Sequence, residues 1–539
     1  MTLTVDSEEI PVRIVGSSVF GRYPTVSVER TYNMFMTTSG DGEEVWLANF
    51  AGYQAVIEYF QSTNEGRGLS HSVRGGFLIA VVGAAVFRSN TITGIPTQIG
   101  TLSTTTGEVF MDENLSSQIC IVDGQNAYIY NYNTATFAVA TLNNSSGGSF
   151  NPADLQPNYV TYQNTYFVFG NALETNAGSQ WFIFQQDIAD SPTSLVWVQT
   201  LTLQTKPDFA KAALRIPGKG NNLLVFGTTV AEIWTNVGGL QVYQRNASIN
   251  IDFGCISVST IAANEEVIAW LGINEKSSPA LMAMKGGNAE RIPTDGLDYL
   301  LDTVQFPSQS TAFFYRQDGH LFYVLTFTNA ADNFSIMYDF TLNKLYDITD
   351  WDFSYFPARQ VAYFDNQLYF ISRKDGNLYE MGSDITTYDL QADADNIYEI
   401  PRVRLTNTFR FERPEKFKIK LFTFVIESGT TPDAYNTPVC FGYILDEFNN
   451  AIIYTEDGLP ILMEGGYCYT NKPRVDLTIS KDGGINFSNA VSYYLKATGN
   501  FKNQPRFAQL GFAQQITYQL RFHGTGRFVV KNGVMEIGG

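Results

Sequence analysis

Between Arg88 and Lys206 the chain has no lysine or arginine, although eight Asp and Glu residues fall in that interval. Histidine and cysteine are scarce as well, with 3 and 4 in 539 residues. His71, His320 and His523 lie in three different regions, and none has a partner at the spacing of a helical metal pair, so each reads as a surface or strand residue and no metal is expected. Cys120, Cys255, Cys440 and Cys468 include no Cys-x-x-Cys, which argues against a zinc ribbon or a disulfide framework and suits a reduced compartment or a few buried thiols. Cys440 and Cys468 could meet in space. No Gly-x-Ser-x-Gly nucleophile elbow is present, and LRIPGKGNN (214–222) lacks the spacing and the following helix of a phosphate loop. Neither a catalytic centre nor a cofactor is therefore expected.

Long apolar runs are missing too. The longest, GGFLIAVVGAAVF at 75–87, is too short to cross a bilayer and reads as two short strands. The opening MTLTVDSEEIPVRIV lacks a basic start followed by an apolar stretch, so no secretory signal and no membrane insertion are expected. The formal charge of −18 repels phosphate at long range, which disfavours sequence-reading of nucleic acid and the coating of anionic membranes.

What is abundant is aromatic: 40 Phe and 30 Tyr, together with 45 Gly. Phe and Tyr suit the half-buried pleated surface of a strand, and Gly with Asn or Asp supplies hairpin turns. This composition predicts an all-β protein.

Along the chain, apolar runs recur in pairs separated by polar turns. Opening runs are GFLIAVVG (76–83), QICIVDG (118–124), TYFVFGN (165–171), NLLVFGT (222–228), VIAWLGI (267–273), AFFYRQDGHLFYVLTF (312–327) and QVAYFDNQLYFIS (360–372). Partner runs such as NAYIYNY, QWFIFQQ, AEIWTNV, ALMAMKG, FSIMYDF and NLYEMG follow, with turns such as Asp123-Gly124, Asp318-Gly319 and Asp375-Gly376. Units start roughly 40–55 residues apart, about what a four-stranded propeller blade needs. A β-propeller of about seven blades is predicted over 66–400. A pair of β-sandwiches uses evenly spaced strands as well and is the plainer alternative.

Charge suggests the next boundary. Asp375, Glu380, Asp384, Asp389, Asp393, Asp395 and Glu399 form a run without a cation, and Arg402, Arg404, Arg410, Arg413, Lys416, Lys418 and Lys420 follow it. The reversal at Ile400-Pro401 is read as a linker. Residues 401–539 alternate as a β-sandwich-like domain would, in KFKIKLFTFVIES, RVDLTIS and ITYQLRFHG, with an insertion at 430–470. Residues 1–65 form a small N-terminal segment in which VWLANFAGYQAVIEYF could close the ring.

SKDGGINF (480–487) resembles the Asp-box turn of sialidases and related propeller glycosidases through Ser480, Asp482 and Gly484. A sialidase-like enzyme needs several arginines, a nucleophilic tyrosine and an acid partner, and paired carboxylates would serve a simpler glycosidase; the first candidate blades offer almost no arginine, and Tyr is too abundant to single one out. The expectation is a structural turn: Asp482 accepting from its own backbone, Gly483 or Gly484 at positive φ, and Phe487 re-entering the sandwich as a plug. A carbohydrate-active propeller, glycosidase or lectin, is the alternative function, and a scaffold propeller binding peptides across its top face is a third.

Three stretches resemble the packaged-DNA stabilisation, or tail hub and nozzle, proteins of short-tailed bacteriophages. They are VERTYNMFMTTSGDGEEVWLANFAGYQAV (28–56), carried by Arg30, Thr31, Asn33, Met34, Gly42, Ala51, Gly52 and Tyr53; LLVFGTTVAEIWTNVGG (223–239); and 475–530, carried by Ser480, Asp482, Gly483, Gly484, Gly499, Arg506, Leu510 and Gly511. The chain departs from that pattern at Phe512, Ala513 and Gln514, where basic residues are common, and in its long insertion. The resemblance implies a virion protein of the phage tail, made in the bacterial cytoplasm and assembled as a homohexameric ring below the portal and adaptor. Tail fibres or spikes and a plug or needle would be its other partners, with double-stranded DNA retained and then passed through. The cation-free walls would minimise DNA adhesion, and acids within 89–205 or the seven from Asp375 to Glu399 would line or flank the channel.

Overall fold

The computed structural model describes residues 7–538 apart from 22–27, 40, 41, 43, 58–63, 144–154, 172–179, 187–191, 240, 293–294, 391–396, 414, 430–437, 444–461, 471–472, 496–501 and 525. The chain divides into two units, one of 1–54, 343–354 and 383–539, the other of 55–342 and 355–382.

The second unit is a β-propeller of seven blades. Their innermost strands are Gly66–Ser72, Phe110–Glu113, Pro157–Gln163, Ala212–Arg215, Ala262–Ala263, Ser310–Gln317 and Ala358–Phe364. Each pairs antiparallel with the next strand of its blade. The runs that stand out in the sequence are mostly second strands, such as Phe77–Val82, Gln118–Val122 and Asn222–Phe226.

A strand buried on both faces reads as a solid apolar run because successive side chains point to opposite sides. In Phe77–Val82, Phe77, Ile79 and Val81 pack on Ile119, Ile121 and Tyr130 of blade 2. Leu78, Ala80 and Val82 pack on Phe364, Tyr369 and Ile371 of blade 7, where Ile57 joins them. The same division repeats around the ring: Phe167 and Phe169 with Cys120 and Ile129, Val168 and Ile183 with Leu223 and Val225, and Phe226 with Trp270. Trp181 and Trp234 meet edge to face at 5.3 Å between blades 3 and 4, a geometry favoured by the ring quadrupole. Where those blades approach most closely the sequence has Gly170, because a Cβ there would lie 2.1 Å from the Lys211 carbonyl oxygen.

The other unit packs two sheets around one core. One contains Ser7–Val12, Met34–Thr38, Val45–Asn49, Phe417–Gly429, Arg506–Ala513 and Arg527–Gly538. The facing sheet includes Arg30–Tyr32, Arg402–Leu405, Arg474–Ser480 and Gln515–His523. Ile419, Phe422, Ile426, Leu477, Tyr518 and Met535 fill the space between them, and Phe422 stacks on Tyr518 at 4.2 Å.

Ser7–Val12, Arg30–Tyr32, Met34–Thr38 and Val45–Asn49 are thus woven into the C-terminal sheets, Gly52–Ile57 lies in the sheet of blade 7, and the division falls at Gly382/Ser383 instead of Ile400-Pro401. Pro401, Arg402 and Arg404 are buried, with Arg402–Leu405 hydrogen-bonded on both sides. The charge reversal therefore marks a strand whose guanidiniums turn inward, not a solvated linker. Of the insertion, only Pro438–Tyr443 and Leu462–Thr470 lie within the described residues; they pair antiparallel, with Cys440 opposite Cys468.

Candidate functional site

The inner strands of the propeller surround a cavity of about 730 Å³. Its lining is largely apolar and aromatic, from Phe110, Tyr159, Ile261, Phe314 and Tyr363, with Glu108, Glu265 and Arg316 as charged members. Gln360 bridges neighbouring inner strands there: its Oε1 accepts from Leu69 N at 2.9 Å and its Nε2 donates to the Val109 carbonyl at 3.0 Å.

Beside that cavity lies a buried ion cluster. Arg359 Nε donates to Glu108 Oε1 at 2.6 Å, and its Nη1 lies 3.2 Å from Glu65 Oε2. Arg373 Nη2 reaches the same Glu108 oxygen at 3.1 Å. Burial alone would drive protons off both guanidiniums. For Arg359 the two carboxylates outweigh burial and its pKa is raised; for Arg373 burial and the charge of Arg359 prevail and it is lowered. Arg67 uses all five of its N–H groups, donating to the Gly83, Thr104, Thr106 and Gly107 carbonyls and to Thr104 Oγ1 at 2.7–2.8 Å. It staples the loop between blades 1 and 2.

In the two-sheet unit, Arg404 donates to the Ile14 and Ser17 carbonyls and pairs with Glu29 at 3.2 Å. Arg402 donates to the Gly524 and Thr386 carbonyls, and burial pushes its pKa down to about 10. His523 stands between Glu399, 2.9 Å from Nδ1, and Asp476, 3.0 Å from Nε2. The second contact is an ion-pair distance without hydrogen-bond alignment, since Nε2 has no partner of suitable geometry. His320 lies 2.8 Å from Asp339 on adjacent buried strands. Both histidines are strand residues that serve carboxylates, buried at Asp339 and half-buried at Glu399 and Asp476. Sequence spacing gave no sign of this, because the partners are 19 and 124 residues away.

The described acids between Asp375 and Glu399 are divided between the two units. Asp375 and Glu380 belong to blade 7, where Asp375 accepts from Asn377 N and the Tyr379 hydroxyl. Asp384, Asp389 and Glu399 belong to the other unit; Asp384 is exposed and pairs with Arg527 at 2.8 Å, Asp389 sits on Thr387–Asp389, and Glu399 is half-buried against His523. Asp393 and Asp395 lie outside the described residues. In the cation-free interval, Asp112 accepts from Tyr162 N, Glu113 from Ser72 and Tyr132, and Asp123 from Gln125 N and Asn126 N.

The SKDGGINF turn is closed on itself. Asp482 Oδ1 accepts from Ser480 Oγ, Ile485 N and Asn486 N at 2.6–3.1 Å, and Oδ2 accepts from Asn486 Nδ2 at 2.7 Å. Gly483 and Gly484 take φ of 82° and 90°. The Asn486 amide, then the Ser480 hydroxyl, hold the Asp482 carboxyl below the usual carboxylate range. Phe487 departs from the expectation of a plug: it is half-buried in the connection and absent from the core between the sheets. The turn runs on to Asn486, and the next strand starts only at Val491, so Phe487 falls before the chain re-enters the sheet. Both oxygens of Asp482 are thus engaged in closing the turn.

Among the described residues no helix is long and apolar enough to cross a membrane, and no group of three His, Cys, Asp or Glu could hold a metal ion.

Seven antiparallel blades stapled by internal ion pairs define a β-propeller protein. The profile of the phage stabilisation family, described as bacteriophage P22 Gp10, beta-propeller, matches residues 32–386, and the chain belongs to that family. It is a family of bacteriophage structural tail proteins involved in DNA stabilisation, which places the protein in the virion.

No curated protein matches the chain. Similar solved structures include S. cerevisiae Dbp5 bound to Nup159 and Gle1, 11% identical with a TM-score of 0.37 over 64% of this chain and 96% of that one. Another is a mitotic checkpoint complex, 12% identical with a TM-score of 0.36 over 61% and 92%. An ancestral GH74 enzyme is 11% identical with a TM-score of 0.40 over 72% and 53%. At such scores none of them carries an argument about this chain.

Proposed function

We propose that this protein is a non-enzymatic tail hub or nozzle: copies of the chain, six in a ring, extend the portal and adaptor channel, retain packaged DNA and conduct it during ejection. Fibres or spikes attach outside and a plug or needle below, and the chain is made in the host cytoplasm. The observation that carries the reading is family membership across 32–386. The charge balance supports it. The net charge of −18 discourages phosphate from adhering to the chain. Buried ion pairs and edge-packed aromatics suit a scaffold that bears load without moving parts.

Electron microscopy and native mass spectrometry of the purified chain test the ring, with six copies around an open channel expected. Nuclease sensitivity of particles assembled without the protein tests retention, with genome exposure expected. A protein that stays single at all concentrations, from particles that keep their DNA without it, would end the proposal.

A further inference from the structure

Two surfaces of the chain differ in charge, one carrying exposed cations and the other exposed acids. The first is the tip joining Arg506–Ala513 to Gln515–His523. Phe512 projects there, 61% exposed. Lys418 lies opposite Phe512 in the neighbouring strand and Arg410 opposite Gln515. Lys481 closes the cluster, its Nζ 3.1 Å from where a Cβ on Gly511 would stand. A polar recess of about 710 Å³ lies among Arg410, Lys481, Gln514 and Gln515, with Glu412 on its edge. Arg410, Lys418 and Lys481 are exposed and form no ion pair with a carboxylate among the described residues.

The second surface is one mouth of the propeller cavity. The turns after the inner strands of blades 5, 6 and 7 are equivalent in the repeat, so they fall on the same face of the ring. They carry Glu265 and Glu266, Asp318, and Asp365, all exposed. The one cation beside them among the cavity-lining residues is Arg316, 3.7 Å from Glu266. Asp318 and Asp365 each stand two residues beyond a lining residue, Arg316 and Tyr363, and Tyr363 is 54% exposed at the lip. The mouth is therefore an aromatic cavity whose rim is acidic along the arc of blades 5 to 7, while the equivalent turns of blades 1 and 4 carry Arg74 and Lys219.

We propose that the Phe512 tip of one copy docks into the acid-rimmed cavity of a second copy, with Lys418 and Lys481 against the rim; this rests on the reading of the protein as ring-forming. An exposed aromatic flanked by cations is the composition of a protein-interface anchor. A polyanion would need the cations but not the Phe, and it would meet Glu412, Glu415 and the net charge of −18. Tip and cavity are different patches, so the contact is heterologous and propagates head to tail, as a closed ring requires.

The test uses the full chain in three charge variants: Lys418→Glu with Lys481→Glu, Asp318→Lys with Asp365→Lys, and all four together. Association is followed by sedimentation and native mass spectrometry across salt concentration, and melting confirms folding. Each double reversal is expected to weaken association about 100-fold or more, and the fourfold variant to recover to within about tenfold of the parent. Phe512→Ser is expected to weaken it at high salt as well, where the charges are screened. Reversals that leave association unchanged, or a fourfold variant that adds the losses without recovery, would overturn the docking while leaving a ring, and so the nozzle, intact. Loss of duplex-DNA binding in the tip variant with unchanged association would overturn it in favour of a nucleic-acid contact. A parent chain that never associates would remove the docking and the ring reading together.

Discussion

Arg359 Nε lies 2.6 Å from Glu108 Oε1, joining residues 251 positions apart, one on the inner strand of blade 7 and the other just ahead of that of blade 2. Arg359 is only 4% exposed, so the pair is sheltered from the screening that makes surface ion pairs weak. Removing one partner strands a buried charge. Glu108→Ala is expected to destabilise the propeller by roughly 3–5 kcal/mol in denaturant titrations, and Glu108→Gln by less. Unfolding of Glu108→Ala alongside the parent would show that the cluster contributes nothing.

The Trp181–Trp234 contact makes a second prediction. Trp234 is fully buried between blades and donates from Nε1 to Glu232 Oε2 at 3.0 Å. Trp234→Ala leaves a cavity and removes the donor to Glu232 Oε2, whose other oxygen keeps the Gln204 and Thr205 amides, and a loss of about 3–5 kcal/mol is expected. Trp234→Phe keeps part of the edge contact and should cost less, so equal losses would argue against this account.

Acid sensitivity follows from carboxylates shifted in opposite directions. For Glu399, burial raises the pKa, but the hydrogen bond and charge of His523, helped by Arg402 and Arg474, outweigh it and the net shift is down. A carboxylate held below its unfolded value stabilises the fold fully above that value, about 4.3 for Glu, and loses the contribution as pH falls through the folded value. The stability gap between the parent and Glu399→Gln should therefore be wide at pH 7 and close below about pH 4. A gap that stays constant down to pH 3 would refute the linkage.

Asp112 runs the other way. Burial raises its pKa in spite of Arg215 and the Tyr162 amide. The charged form is thus disfavoured in the fold, and that penalty is present above the folded pKa and fades as pH falls through it toward the unfolded value. Asp112→Asn is expected to match or exceed the parent's melting temperature at pH 8, with the difference moving against the variant as pH drops. A variant markedly less stable at pH 8 would mean that the contact with Arg215 dominates.

Both fully buried thiols should be inert. Burial pushes Cys255 up to about 12 and Cys120 well above its ordinary value, and the reactive species is the thiolate. Alkylation at pH 8 followed by peptide mass spectrometry should leave both unmodified until the protein is denatured. Rapid labelling of either in the native protein would contradict their placement.

Much of the propeller was readable from local pattern. Solid apolar runs such as FLIAVV and QICIV, closed by Asp-Gly or Asn-bearing turns, mark strands covered on both faces, and their recurrence gives the blades. The inner strands were harder to see. Ala262–Ala263 and Ala212–Arg215 are two and four residues long, too short to show a period. The Ser480–Gly484 turn was legible for the same local reason, since its partners lie within six residues.

By itself the sequence determined the all-β character, the repeating hairpins and the negative charge, because each depends on near neighbours or on composition. Only tertiary structure decided where the cations go. Arg67, Arg359, Arg402 and Arg404 look in the sequence like solvated charges, yet they are buried on carbonyls and carboxylates, many of them far along the chain. A guanidinium is tolerated inside only where closure of the fold brings enough acceptors to one point. That convergence, like the weaving of Ser7–Val12, Arg30–Tyr32 and Val45–Asn49 into the C-terminal sheets, depends on long-range pairing that no local pattern encodes.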